Sequence, residues 1–303
     1  MEIYQLRYFV AVAETGNFTR AAERSFISQP SLSQQILNLE EEVGKTLFHR
    51  LGRKVTLTDD GQVLLEHARR IIGEADNALR ELKEDSARGH RVAVGAIPSV
   101  AHFFLPAVVA HCRANDVRIK LRSYEAFTAT VVSRVAEGEL DWGIVAQPPG
   151  DPRLETRRLY TEPLLLVLGE GHHLASAPTV RFGDLRDENF IMLGAASSLA
   201  ELVNRLGGDN DFTPRITHHC AQISTVKSLT AMGLGVSVLP RSTRNANDPA
   251  GLVYRKFEGA SPSRDVLLVR HRRRHISRGA QLFAEAAQAV VGPPDQTATP
   301  FPR

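Results

Sequence analysis

The sequence predicts an α/β protein in two parts: an all-α-dominated N-terminal domain of winged helix-turn-helix type, and a larger C-terminal domain of two α/β lobes. Three observations carry this expectation. Apolar residues recur at helical spacing through the first ninety positions, with one short alternating segment among them. From Arg91 the pattern changes to short apolar runs alternating with amphipathic helices, and these runs fall into two successive sets. The 303 residues, 43% hydrophobic and 23% charged, are enough for two domains with cores of their own.

In the head, Ile3, Leu6, Val10 and Ala13 form a helical stripe that ends at Gly16. A second short helix, NFTRAAERS, follows with Asn17 as its cap, and Ala21 and Ala22 are small where two helices must cross closely. SFIS makes a tight turn into SQPSLSQQI. There Leu32, Ile36, Leu39 and Val43 share one face, Ser28 can cap, Pro30 sits in the first turn and Gly44 stops the helix. Two helices joined by a tight turn make a helix-turn-helix, whose second helix enters the major groove with its N-terminal residues against the bases. The outer face carries Gln29, Ser31, Ser33, Gln34 and Asn38, short donor–acceptor groups suited to base edges. A plain polar surface that lacks charge is the alternative reading.

TLFHRLGRKVTLT, broken by Gly52, reads as a β-hairpin wing with His49, Arg50, Arg53 and Lys54 concentrated on it. A solvated basic turn would look the same in isolation. Thr58 then caps a long helix with Asp59 and Asp60 in its first turn. Along it Leu64, Ala68, Ile71, Ala75, Ala78 and Leu82 make a heptad seam, widened by Leu65, Ile72 and Leu79. Such a seam either pairs two chains or packs on its own chain's core.

The Ala21–Ala22 pair, SQPSLSQQI, Leu39–Glu40, Gly44, Leu47–Phe48, Arg50, Arg53, Leu57, Thr58 and Gly61 together resemble the LysR-type transcriptional regulators. Many members carry Arg where this chain has Gln34. The resemblance extends over nearly the whole chain. It implies a DNA-contacting set of Gln29, Pro30, Ser31, Ser33 and Gln34, flanked by Thr19, Arg50 and Arg53. It also implies a dimer of dimers, contact with RNA polymerase, and a two-lobed effector domain of the periplasmic-binding-protein type. The chain would cross between lobes near residue 160 and return near residue 265. The expected organisation is a winged head at 1–58, a linker helix and hinge at 59–90 and an effector domain at 91–291. Its first lobe would take about 91–160 and 266–291, its second about 161–265. The Pro-rich tail at 292–303 reads as disordered.

Within the body, hydroxyl residues open helices directly after strands at Ser99, Thr128, Ser197, Ser198 and Thr225. Their N–H groups would converge on the cleft and suit a small anionic effector such as a carboxylate. The simpler role for each hydroxyl is to cap its own helix. Ser99 and Thr128 also match positions at which effectors are held in the family. No cation is evident among these positions.

Residues 1–58 hold seven Lys plus Arg against six Asp plus Glu, so position rather than bulk charge points to double-stranded DNA. Cys112 and Cys220, far apart and without a partner motif, offer no disulfide framework and no zinc set. Peroxide-sensing members keep both cysteines in the second lobe, which this spacing does not. HHC at 218–220 and HRRRH at 271–275 contain metal-capable residues without the Glu of HExxH, and no nucleophile–base pair is apparent. The expectation is therefore a non-enzyme without cofactor or metal. With no secretory signal in MEIYQLRYFVAVAETG and no membrane-length apolar run, the expected compartment is the cytoplasm.

Overall fold

The structure, a computed structural model, describes residues 1–51, 54–82, 89–259 and 261–292. The chain divides into two compact units, one made mostly of residues 1–84 and the other of 85–136 and 140–303. No helix of the described residues is long and apolar enough to cross a membrane.

The first unit contains α1 (Ile3–Thr15), α2 (Phe18–Arg24), α3 (Gln29–Val43), a hairpin of β1 (Phe48–Leu51) and β2 (Lys54–Leu57), and α4 (Asp59–Leu82). Local chemistry fixes its boundaries. The Asn17 side chain accepts from the N–H groups of Thr19 and Arg20, and Ser28 Oγ accepts from Ser31 N–H. Gly16 and Gly44 close α1 and α3 in the left-handed region, at φ of 61° and 67°. Thr58 Oγ accepts from Gly61 N–H and donates to Thr46 O. Gly61 is obligatory, since a Cβ there would lie 2.2 Å from Leu47 O.

Leu6, Phe9 and Val12 of α1 meet Ala21 and Ala22 of α2, Leu32, Ile36 and Leu39 of α3, and Phe48 of β1 in one core. The stripe expected on α1 is displaced: Ile3 is exposed, and Phe9 and Val12 occupy the buried positions assigned to Val10 and Ala13. Every choice of stripe on a short apolar helix satisfies periodicity, and only the neighbours decide among them. On α4 the proximal residues Leu65 and Ala68 join this core, whereas Ile71, Leu79 and Leu82 are exposed.

The second unit is built from β3 (His90–Ala96), α5 (Pro98–Ala114), β4 (Ile119–Glu125), α6 (Thr128–Ala136), β5 (Trp142–Val145), β6 (Leu154–Gly169), β7 (Thr179–Val180), β8 (Asn189–Leu193), α7 (Ser198–Gly208), β9 (Arg215–Cys220), α8 (Ile223–Ala231), β10 (Ser237–Pro240), β11 (Leu252–Phe257), β12 (Ser263–His271) and α9 (Arg278–Val291). One lobe has the strand order β4-β3-β5-β12-β6, with β3 parallel to β4 and β5. In the other lobe the far half of β6 pairs with β10 on one side and β11 on the other, while β8 and β9 run parallel.

Each lobe has its own core. Leu159, Tyr160 and Val266 belong to the first, and Leu164 and Phe257 to the second, so the chain changes cores within β6 and again between β11 and β12, close to where Ser263 faces Pro163. The 16-residue β6 is thus shared between lobes. Residues 83–88, expected in the hinge, and the tail from residue 293 lie outside the described residues.

Candidate functional site

The outer face of α3 is open to solvent over its first three turns. Gln29, Pro30, Ser31, Gln34 and Asn38 are exposed and Ser33 is half-buried. Side chains one turn apart are coupled: Gln29 Nε2 donates to Ser33 Oγ at 3.2 Å, and Gln34 Nε2 to Asn38 Oδ1 at 2.9 Å. These bonds restrain the side chains along the helix face while leaving further donor and acceptor capacity on each. Thr19 is exposed on α2. Glu40 turns back from the inner part of α3 to accept from the N–H groups of Leu47 and Phe48, at 2.7 and 3.3 Å, and so fixes where the hairpin leaves the head. Arg50 lies on β1 opposite Val55; Arg53 lies outside the described residues.

In the second unit, backbone contacts bring four helix N-termini together. Ala126 N–H donates to Ala96 O, placing the starts of α5 and α6 side by side. Gly194 N–H donates to Cys220 O, and Gly194 O accepts from Ser197 N–H, which joins the starts of α7 and α8. Phe127, next to Thr128, packs into the second core beside Gly194, where a Cβ would sit 3.1 Å from its ring.

The hydroxyls differ in what they do there. Ser197 is a true cap: its Oγ accepts from Ala200 N–H and its only proton goes to Leu193 O, so the hydroxyl has no donor left for a ligand. Ser198 is buried. The helix expected from Thr225 begins earlier, at Ile223 behind Gln222, and Thr225 stands exposed inside its first turn without capping it. Likewise α5 begins at Pro98 behind Ile97, and Ser99 does not cap. Thr128 Oγ1 is buried and has no partner among the described residues.

The expectation of no cation at these positions is corrected. Arg264, 5% exposed, donates from Nη1 to Ser99 Oγ at 2.7 Å and from Nη2 to Ser99 O at 3.1 Å. Its Nε and Nη2 also reach Glu162 Oε1 at 2.9 and 2.8 Å, and Glu162 Oε2 accepts from Ser242 N–H. A fully buried ion pair therefore sits at the lobe crossing and clamps the first turn of α5. Burial, with the Glu162 charge adding to it, pushes the Tyr160 phenol up, so it stays protonated there.

His172, His173 and Glu188 bring three potential metal-ligating atoms within 4.8 Å. His172 Nδ1 accepts from Leu174 N–H, which places the ring proton on Nε2, 3.2 Å from Glu188 Oε2. A metal at Nε2 would need the opposite tautomer, so the contact is a hydrogen bond. In the HRRRH segment and just before it, Arg270 pairs with Glu155 and Arg274 with Asp141. Cys112 and Cys220 are buried in different cores, and burial raises both thiol pKa values.

The chain matches the model of the bacterial regulatory helix-turn-helix protein, lysR family, over residues 3–62 and that of the LysR substrate binding domain over 85–292. It is 32% identical to the uncharacterized HTH-type transcriptional regulator YcgK of Bacillus subtilis, over 95% of this chain and 94% of that protein. It is 34% identical to the Hca operon transcriptional activator HcaR of Escherichia coli, over 88% and 91% of the two chains. Among solved structures, a full-length OxyR variant from Pseudomonas aeruginosa aligns with a TM-score of 0.72 at 27% identity, over 95% of this chain and 98% of that one. With a DNA-reading head and a two-lobed effector domain, the chain belongs to the LysR family: it is a sequence-specific DNA-binding transcriptional regulator that controls promoters in response to a small molecule held between its lobes.

Proposed function

We propose that α3 reads its operator through Gln29 and Ser33, with Pro30, Ser31 and Gln34 lining the same groove, while Thr19, Arg50 and Arg53 hold the phosphate backbone or an adjacent minor groove. The observation that carries this reading is the exposed, uncharged and mutually braced face of α3. Alanine at Gln29 or Ser33 is expected to reduce preference for the operator over random DNA by about 1–3 kcal/mol. Footprinting upstream of the protein's own gene, followed by competition binding at fixed salt, measures it; unchanged preference rejects the assignment. Loss of one backbone Arg should instead weaken all sequences alike and lower the salt slope by about one.

The effector site is the meeting point of the four N-termini, with Ser99, Thr128 and backbone N–H groups facing Ser198 and Thr225. It suits a small anion such as a carboxylate. Ser197 contributes through the helix that it caps. The working units are a head at 1–58, a linker helix and hinge at 59–90 and an effector domain at 91–291. The chain works by binding rather than catalysis, as a cytoplasmic dimer of dimers that engages RNA polymerase. Thiol-based sensing is disfavoured, because both cysteines are buried in separate cores with raised pKa values.

A further inference from the structure

Phe26, in the turn between α2 and α3, is 95% exposed and has a φ of +56°. Both properties oppose stability. A bulky side chain in the left-handed region is strained, and an apolar ring in water gains nothing. The other described non-glycine residues at positive φ are Asp116 and Asp211, and short Asp side chains tolerate that region. The turn itself is well defined without the ring: Phe26 N–H donates to Glu23 O, Ile27 N–H donates to Ala22 O, and Ile27 packs on the head's core. Phe26 makes no ring contact among the described residues. Packing and turn chemistry therefore both argue for another residue at this position.

What remains is its place. Phe26 is two residues before the cap Ser28 and three before Gln29, at the end of α3 that meets bases, and Gln29 and Pro30 beside it are exposed too. We infer that Phe26 is an apolar DNA contact, seating its ring against a deoxyribose edge or thymine methyl where the recognition helix enters the groove. Such a contact needs no charge, and the ring is held ready by a strained turn. The inference rests on the DNA-reading role of α3.

Phe26→Asn tests it, because Asn accepts the left-handed region and removes the ring. Covering about half of a Phe side chain corresponds to roughly tenfold in affinity. The full-length variant is expected to bind the footprinted operator duplex roughly tenfold more weakly, with an unchanged slope of log K against log salt, since no phosphate contact is lost. Its melting temperature should equal or exceed the parent's. Phe26→Leu should recover much of the affinity. Unchanged affinity in Phe26→Asn overturns the inference, and so does a lowered melting temperature accompanying the loss, which would make the ring structural. Unchanged DNA affinity with a smaller assembled mass would place a second copy of the chain on the ring and overturns it equally. Parent protein that fails to retard operator DNA would instead remove the reading of α3 on which the inference rests.

Discussion

Arg264 and Glu162 show how much of the effector domain depends on two side chains that are 102 positions apart. A guanidinium with donors committed to Glu162 Oε1, Ser99 Oγ and Ser99 O leaves the Ser99 hydroxyl proton free to point elsewhere. Removing one partner of such a pair strands a buried charge. Glu162→Ala is therefore expected to cost about 3–5 kcal/mol in denaturant unfolding of the effector domain. The double change Glu162→Leu with Arg264→Met should cost clearly less. Equal losses for the single and double variants would show that the charges are not coupled. Sequence patterning does not disclose the pair, because a Glu in LETRRLYTEP and an Arg in SPSRDVLLVR look like ordinary surface charges. Asn17, Ser28 and Thr58, whose caps depend only on neighbours a few residues away, were fully readable.

At the scale of elements, the seam of α4 divides along its length. Leu65 and Ala68 close the head's core, whereas Leu79 and Leu82 are 53% and 86% exposed in the single chain. We propose that a partner copy covers this distal surface, which would account for the apolar residues that the head leaves in water. Leu79→Asp is expected to lower the mass measured by light scattering without lowering the head's melting temperature; a full-size assembly would move the contact elsewhere. The strands illustrate where sequence patterning fails. PLLLVLG is legible as a buried strand, but the preceding LETRRLYTE belongs to the same β6 and carries exposed Arg157 and Arg158. There β6 has β12 as its one neighbour among the described strands, and a sheet edge of that kind tolerates charged side chains. Similarly β11, LVYRKF, is only partly buried and offers little alternation to detect. Strand existence in the interior was readable from composition; strand length and edge position depend on partners distant in sequence.

At the scale of the whole molecule, regulation requires that effector and operator bias the same equilibrium. A ligand with equal affinity for both assembly states shifts nothing, however tightly it binds. Thermodynamic linkage makes the coupling reciprocal: if the effector changes operator affinity by some factor, saturating operator must change effector affinity by the same factor. A typical coupling of about 1–3 kcal/mol corresponds to roughly 5–150-fold in either direction. Calorimetric titration of the effector into free protein and into the operator complex gives one side of this equality, and DNA titration with and without effector gives the other. Ser99→Ala and Thr128→Ala are expected to weaken effector binding in both titrations while leaving effector-free operator affinity unchanged, because both residues lie in the compact unit that does not contain α3. Thr128→Ala is the sharper test, since Thr128 Oγ1 has no partner among the described residues to lose, whereas Ser99 also receives Arg264. An effector that binds Thr128→Ala and Ser99→Ala as tightly as the parent, yet still shifts the operator titration, would place the sensing site outside the meeting point of the helix N-termini.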